Sequence, residues 1–429
     1  MTTKKTADAK TRTSGMRLSR RVTELKPSAT LAVSARAKAL KAEGVDVIAF
    51  GAGEPDLATP RFICDAAKRA IDEGWTKYTA SAGDPAAREV IAKKLREENG
   101  LMGMGADGVV ITAGAKMGIY LAMQALVDPE CGDEVILQTP CYVSYAPIAR
   151  LCGGKVVEVE TRIADGFRMS AEGLREVLSE RSRVLVINSP ANPTGVVYSA
   201  EELKAIAEVV NEHNREQRES GGGELVVLSD EIYEKLIYAD GVEFVSICSF
   251  VEDGCFVVIN GLSKSYAMTG WRIGYAGAGR VEVAKAMAKL QVQMNTCITG
   301  CCYPVIVEAI EGGDDAIDEM RGIYRKRWEV VCHLLEGLPG VKFLKPSGAF
   351  YVFVEVSGYY GRRSGRGMEI RDAVSFAEAL LVEGGVAVVP GDDFGGCGSD
   401  FVRISYACSE DSIREGLGRM KGFLEVCGE

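Results

Sequence analysis

Continuous apolar runs alternate with helical stretches through the middle of this 429-residue chain, and that alternation constrains the fold more than any other feature. Gly108–Thr112, Asp133–Gln138, Lys155–Glu160, Arg183–Asn188, Glu224–Ser229 and Cys255–Asn260 read as strands. Between them, helices are expected near Lys116–Leu126 and Glu201–Arg215, the second with apolar residues recurring at Leu203, Ile206, Val209 and Val210. Strands such as VLVI and LVVL have no polar face, which suits a mostly parallel sheet covered on both sides. The expected class is therefore α/β, a layered sheet with right-handed crossovers. From about residue 315 the order changes. A long helix (Asp315–Leu335) leads to Gly340–Leu344, Gly348–Val356, a helix, Val386–Pro390, Phe401–Tyr406 and a final helix, the pattern of a smaller α+β domain. Two polar, Gly-rich inserts, Arg215–Gly223 and Ser357–Gly367, read as surface loops, and the arginines of the second as a solvated charge run.

Composition excludes several classes. Fifty Lys+Arg against sixty Asp+Glu give a net charge of −10, the wrong sign for a nucleic-acid binder. The basic residues gather at the start: residues 1–26 hold eight of them and two acids. Residues 1–16 read as a disordered basic tail. No apolar run reaches the ~18 residues of a membrane span, and no secretory apolar segment opens the chain. Thirteen cysteines are scattered with no CxxC pair, and there are only two histidines, so no metal site is expected. The cysteines read as small core residues of a cytoplasmic protein with reduced thiols.

Four segments sit at the C-terminal ends of expected strands, where open α/β sheets bind ligands. NGLSKSYAMTGWRIGY (260–275) carries Ser263, Lys264 and Arg272. LSDEIY (228–233) ends an apolar strand on Asp230, a carboxylate that needs a cationic partner unless it caps a helix. NSPANPTG (188–195) is a tight turn containing Asn192, and AGAK (113–116) joins a strand to a helix whose first N–H groups can face an anion.

In this order and spacing the four segments closely resemble class I pyridoxal-phosphate aminotransferases. FGAGEPD (50–56), KYTASAG (77–83), SDEIYE (229–234), SGAFY (347–351) and FVRISYA (401–407) match the same family, over roughly residues 17–425. The nearest branch is the bacterial-type aspartate aminotransferases, which includes prephenate aminotransferases. The resemblance implies a type I fold for pyridoxal-phosphate enzymes, with residues 17–60 opening the small domain, 61–314 forming the large cofactor domain and 315–429 completing the small domain. It also implies a role for each matching residue. Lys264 is the Schiff-base lysine and the proton carrier, and Asp230 faces the pyridine nitrogen. Tyr233 and Asn192 bond the ring's 3-oxygen, and Tyr142 stacks on the ring. Arg272, Ser263 and the Gly114–Ala115–Lys116 turn take the phosphate, joined by Tyr78 from a second subunit of a homodimer. Arg403 grips the substrate α-carboxylate beside the backbone of Gly53 and the side chain of Asn192, Lys116 reads a distal carboxylate, and Lys26 and Thr30 line the entrance.

The expected reaction moves an amino group from L-aspartate or L-glutamate to a 2-oxo acid, with prephenate as an alternative acceptor. An aromatic transaminase, or a C–S lyase on the same fold, ranks below these. A DNA-binding regulator would need a further module before residue 17, and GAGEPD breaks the nicotinamide fingerprint at its last position. Three departures stand out. Cys141-Tyr142 replaces the Tyr-Trp of most relatives. QMNTCITGCCYP (293–304) replaces a more polar segment near the partner's site. Cys131 lies in a turn extended by two residues.

Overall fold

The computed structural model describes residues 17–25 and 29–428, so the expected tail and Lys26 lie outside the described residues, as does the side chain of Thr30. Seven strands join in one sheet: β1 (Val109–Thr112), β2 (Glu134–Thr139), β3 (Lys155–Glu160), β4 (Ser182–Asn188), β5 (Val226–Asp230), β6 (Phe256–Gly261) and β7 (Gly274–Ala278). Their order is β1-β7-β6-β5-β4-β2-β3. β7 is antiparallel to both neighbours, and every other pairing is parallel.

The apolar runs divide between two cores as a pleat requires. Ile136, Leu185, Ile187, Val227 and Val258 face one cluster, while Val135, Val184, Val186, Leu228, Val257 and Ile259 face the other. β7 gave no strand signal because its sequence, GYAGA, lacks β-branched residues. The small residues answer to space. A Cβ on Gly274 would collide with the backbone of Gly114 and Ala115, and one on Gly277 would come within 2.6 Å of Leu95.

The insert at 215–223 is not a loop over most of its length. The helix Ala200–Ser220 runs through it, opened by a capping box between Ser199 and Glu202 and closed by Gly221 at φ 75°. Arg, Glu and Gln are good helix formers, and an exposed last turn needs no apolar residue, so polarity alone misread it. Only the glycines 221–223 form the turn. The second insert lies on the surface as expected, with Arg362, Arg363 and Arg366 exposed.

A second, antiparallel sheet is built from β8 (Lys342–Phe343), β9 (Tyr351–Glu355), β10 (Val389–Pro390) and β11 (Phe401–Ser405), in the order β10-β11-β9-β8. The expected run 386–390 is split. Val386–Ala387 pairs in parallel with Ile48–Ala49, which ties the start of the described chain to its C-terminal part. The helices Asp314–Glu336, Ala373–Gly384 and Glu410–Val426 pack Val331, Leu335, Phe376, Leu380, Ile413 and Leu417 with Phe350 and Val352 into one core. Arg403, on β11, thereby faces the C-terminal edge of the large sheet.

Candidate active site

The four segments converge. Asp230, the last residue of β5, is 4% exposed. Its carboxylate accepts a hydrogen bond from the Tyr145 hydroxyl at 2.7 Å and from the Ile232 N–H at 3.3 Å, while Asn188 Nδ2 donates to its carbonyl at 2.8 Å. Among the described residues no cationic side chain is paired with it. Neutral donors hold it instead, and burial pushes its pKa up to about 6 against their opposing effect. Sequence reading missed Tyr145. Three residues after Tyr142, it reads as an apolar position at a helix start, and only the buried acid's need for a donor points to it.

Lys264 follows β6 by three residues and donates its Nζ to the Gly53 carbonyl. The amine stands 5.9 Å from the Tyr233 ring centroid and 5.7 Å from that of Phe350. Burial lowers its pKa to about 8, with Glu54 opposing the shift and Arg403 and Arg272 adding to it. A lysine so placed is neutral far more often near neutral pH than an ordinary lysine, as a nucleophile or base requires. The Tyr233 hydroxyl meets that of Tyr351 at 2.9 Å.

Arg403 is 3% exposed and has no carboxylate partner among the described residues. Its Nη1 donates to Asn192 Oδ1 at 3.0 Å and its Nη2 to the Gly51 carbonyl at 3.1 Å, while Nε is buried without an acceptor. The guanidinium lies 4.5 Å from the Tyr351 ring centroid. A buried cation satisfied only by neutral groups is expensive, and an incoming anion removes the cost. Asn192 is itself fixed, its N–H donating to Asn188 Oδ1 at 2.9 Å.

Arg272 adopts φ 59° and donates Nη1 to the Thr269 carbonyl at 2.8 Å. Its Nη2 occupies the space a Cβ on Gly114 would fill, at the start of the helix Ala115–Leu126, where Gly114 has φ 85°. A guanidinium lying over a glycine at a helix N-terminus is a cradle for a multivalent anion. Ser263 is buried beside Lys264. Lys116 is exposed, 5.5 Å from the centroid of the Tyr142 ring, and Tyr142 packs edge-on to Tyr145 at 5.4 Å. Tyr78 stands apart: it is 87% exposed and has no hydrogen-bond or ring partner within this chain among the described residues.

The departures also have places. Cys141 anchors its N–H on the Phe394 carbonyl at 2.8 Å, and burial raises its thiol well above the usual range. The segment 293–304 folds against residues 75–77, where a Cβ on Gly300 would come within 2.7 Å of the Trp75 carbonyl. Cys131 sits exposed in the turn before β2.

A mostly parallel sheet with a lysine, an acid, an asparagine turn and an arginine cradle at one edge defines a type I pyridoxal-phosphate enzyme. The chain belongs to the aminotransferases of class I and II, whose family pattern it matches over residues 45–420. It is 43% identical to a probable aspartate/prephenate aminotransferase of Aquifex aeolicus, across 95% of this chain and 98% of that one. It is 42% identical to an aspartate aminotransferase of Geobacillus stearothermophilus, across 96% and 100%. Among solved structures, the aspartate aminotransferase of Rhizobium meliloti superposes with a TM-score of 0.90 at 38% identity, across 96% and 100% of the two chains. The enzyme is thus a transaminase that works with pyridoxal phosphate. The site fits that group: the Gly114 cradle suits its phosphate, and Lys264 is poised to react with its aldehyde.

Proposed function

We propose that the chain transfers the amino group of L-aspartate or L-glutamate to a 2-oxo acid. The observation that carries this reading is Arg403, a buried guanidinium with an idle Nε and no carboxylate partner among the described residues. An α-carboxylate completes it through a two-pronged contact. Lys116, exposed at the rim, would take the second carboxylate. Relatives named for aspartate recur at about 40% identity, and the Thermus thermophilus relative, 43% identical, is named for aspartate and prephenate.

Pyridoxal phosphate supplies a ring that withdraws electrons from the amino acid's α-carbon. The protein would hold it at the phosphate with Arg272, Ser263 and the N–H groups of Gly114, Ala115 and Lys116. Asp230 would keep the pyridine nitrogen protonated, with the Tyr145 hydroxyl fixing the carboxylate. Asn192 and Tyr233 would bond the 3-oxygen, and the Tyr142 ring would cover one face. Lys264 would hold and move the proton at the substrate α-carbon, a role its lowered pKa favours. The Gly53 backbone would line the same substrate pocket, and Lys26 and Thr30 its entrance.

We take residues 61–314 as the cofactor-binding unit, with 17–60 and 315–429 forming the smaller unit around Arg403. The exposed Tyr78 would serve the phosphate of a second copy, making the enzyme a homodimer. Sedimentation of the holoenzyme is expected to give a dimer at micromolar concentration, and a monomer that turns over at full rate removes this part of the reading. Thirteen unpaired cysteines suit a cytoplasmic enzyme, and among the described residues no helix is long and apolar enough to cross a membrane.

The deciding measurement is a single-turnover comparison of aspartate, glutamate, an aromatic amino acid and, as amino acceptor for the amine form, prephenate. Aspartate and glutamate should convert the bound aldehyde cofactor to its amine form fastest. An unchanged spectrum with both overturns the assignment, and a faster aromatic substrate moves the specificity away from dicarboxylates.

A further inference from the structure

Behind Asp230 lies a second set of buried charges that the reaction does not touch. Glu231, Glu234, Lys94 and Asn99 are 1%, 7%, 6% and 4% exposed. Asn99 uses its whole amide: Nδ2 donates to Glu231 Oε2 and to Glu234 Oε2, each at 2.7 Å, and Oδ1 accepts from Lys94 Nζ at 2.8 Å. Lys94 also pairs with Glu234 Oε1 and reaches Glu98 at 3.7 Å. The other oxygen of Glu231 accepts from Ser229 Oγ at 2.8 Å and Ser246 Oγ at 2.5 Å.

Two buried carboxylates share one ammonium, so the set gains little for stability over a well-packed apolar core. Burial and the charge of Glu234 push the Glu231 pKa up to about 7. Its placement is more telling than its energy. Asp230 extends on the face of β5 that carries Leu228, whereas Glu231 turns to the face of Val227 and Ser229. The Glu231 N–H also donates to the carbonyl of Ile259, within β6, at 2.9 Å. Fixing Glu231 therefore fixes the backbone from which Asp230 projects. Asn99 just follows the helix Pro85–Glu97, whose last turn carries Lys94, so the clamp joins that helix to the strand end.

We propose that Asn99 is a positioning residue for transamination: by bridging Glu231 and Glu234 it clamps the strand end to the helix Pro85–Glu97 and holds Asp230 in line with the cofactor. This rests on the role given to Asp230 above. Leucine at position 99 leaves both carboxylates short of a donor. Glutamine at 231 keeps every bond, since its oxygen accepts from Asn99 and its amide donates to the two serines.

The test uses full-length protein and two readouts: peptide-resolved hydrogen exchange of residues 226–235 without cofactor, and the single-turnover rate and dissociation constant of L-aspartate in the holoenzyme. Asn99→Leu should lower protection and the rate constant by about 10- to 100-fold, with the dissociation constant nearly unchanged. Glu231→Gln should stay close to wild type in both. Ser246→Ala, which removes one donor from Glu231, should move both readouts in the same direction by a smaller factor, and it serves where Asn99→Leu does not fold. Leu417→Ala, in the separate core of the smaller unit, should cost Tm without slowing the single turnover. The proposal is overturned by wild-type exchange and rate in Asn99→Leu or, where that variant does not fold, in Ser246→Ala. It is equally overturned by damage in Glu231→Gln equal to that variant's, or by the same rate loss in Leu417→Ala. A wild-type enzyme inert to aspartate would sink the functional reading instead, and the exchange comparison would still decide the clamp.

Discussion

Lys264→Ala is expected to lose turnover by about a thousandfold or more, since it removes the proposed covalent anchor and proton carrier. Asp230 and the Arg272 cradle survive in the variant, so the cofactor should still bind, without a covalent link. Intact mass after borohydride reduction separates the two outcomes: wild type retains the cofactor's mass and the variant does not. The lowered pKa adds a second readout. Only the neutral amine attacks an aldehyde, and for Lys264 the neutral form becomes the majority above about pH 8 rather than near the ordinary lysine value of 10.5. Cofactor uptake by the apoprotein should therefore rise with pH and level off above about 8. A rise that continues to pH 10 would mean that the amine is not desolvated as the fold implies. Substantial transamination by the variant, or a retained adduct, would place the chemistry on another lysine.

The site was legible where chemistry concentrates in short segments. Lys264 and Asn192 each follow an apolar strand within a few residues and Asp230 ends one, and parallel pairing brings those strand ends to one edge, which Arg272 reaches just before the antiparallel β7. What stayed hidden shares a physical cause: residues whose partner is remote in sequence and whose own environment looks ordinary. Tyr145 lies 85 positions from Asp230, and Asn99 lies 132 from Glu231. Tyr145 opens a helix and Asn99 lies in the turn after one, places that do not mark a site in sequence. β7 failed for a different reason, because close backbone approach selects Gly and Ala, which carry no strand propensity. The polar end of the helix Ala200–Ser220 failed because solvent exposure and loop composition look alike until a cap is recognised. Tyr78 marks a third limit. Its ring is exposed and has no partner among the described residues of one chain.

The second large effect is expected at Arg403. In the free protein this guanidinium is an unpaired buried charge, so replacing it with alanine removes a desolvation cost along with two hydrogen bonds to Asn192 and Gly51. Stability should change little, and the damage should fall on substrate. With the α-carboxylate left without its partner, the loss is about 2–5 kcal/mol, or roughly 30-fold to a few thousandfold in kcat/KM. Arg403→Lys should recover only part of it, because an ammonium cannot offer two parallel donors and cannot keep Asn192 in place while holding the substrate. The discriminating control is a simple amine with no carboxylate. Wild type and Arg403→Ala should process it at similar, slow rates, since Lys264 and Asp230 are untouched. If the variant loses the amine reaction as severely as the aspartate reaction, Arg403 supports the site's architecture rather than the substrate. If it keeps wild-type kcat/KM for aspartate, the carboxylate binds elsewhere, and Lys116 becomes the residue to examine next.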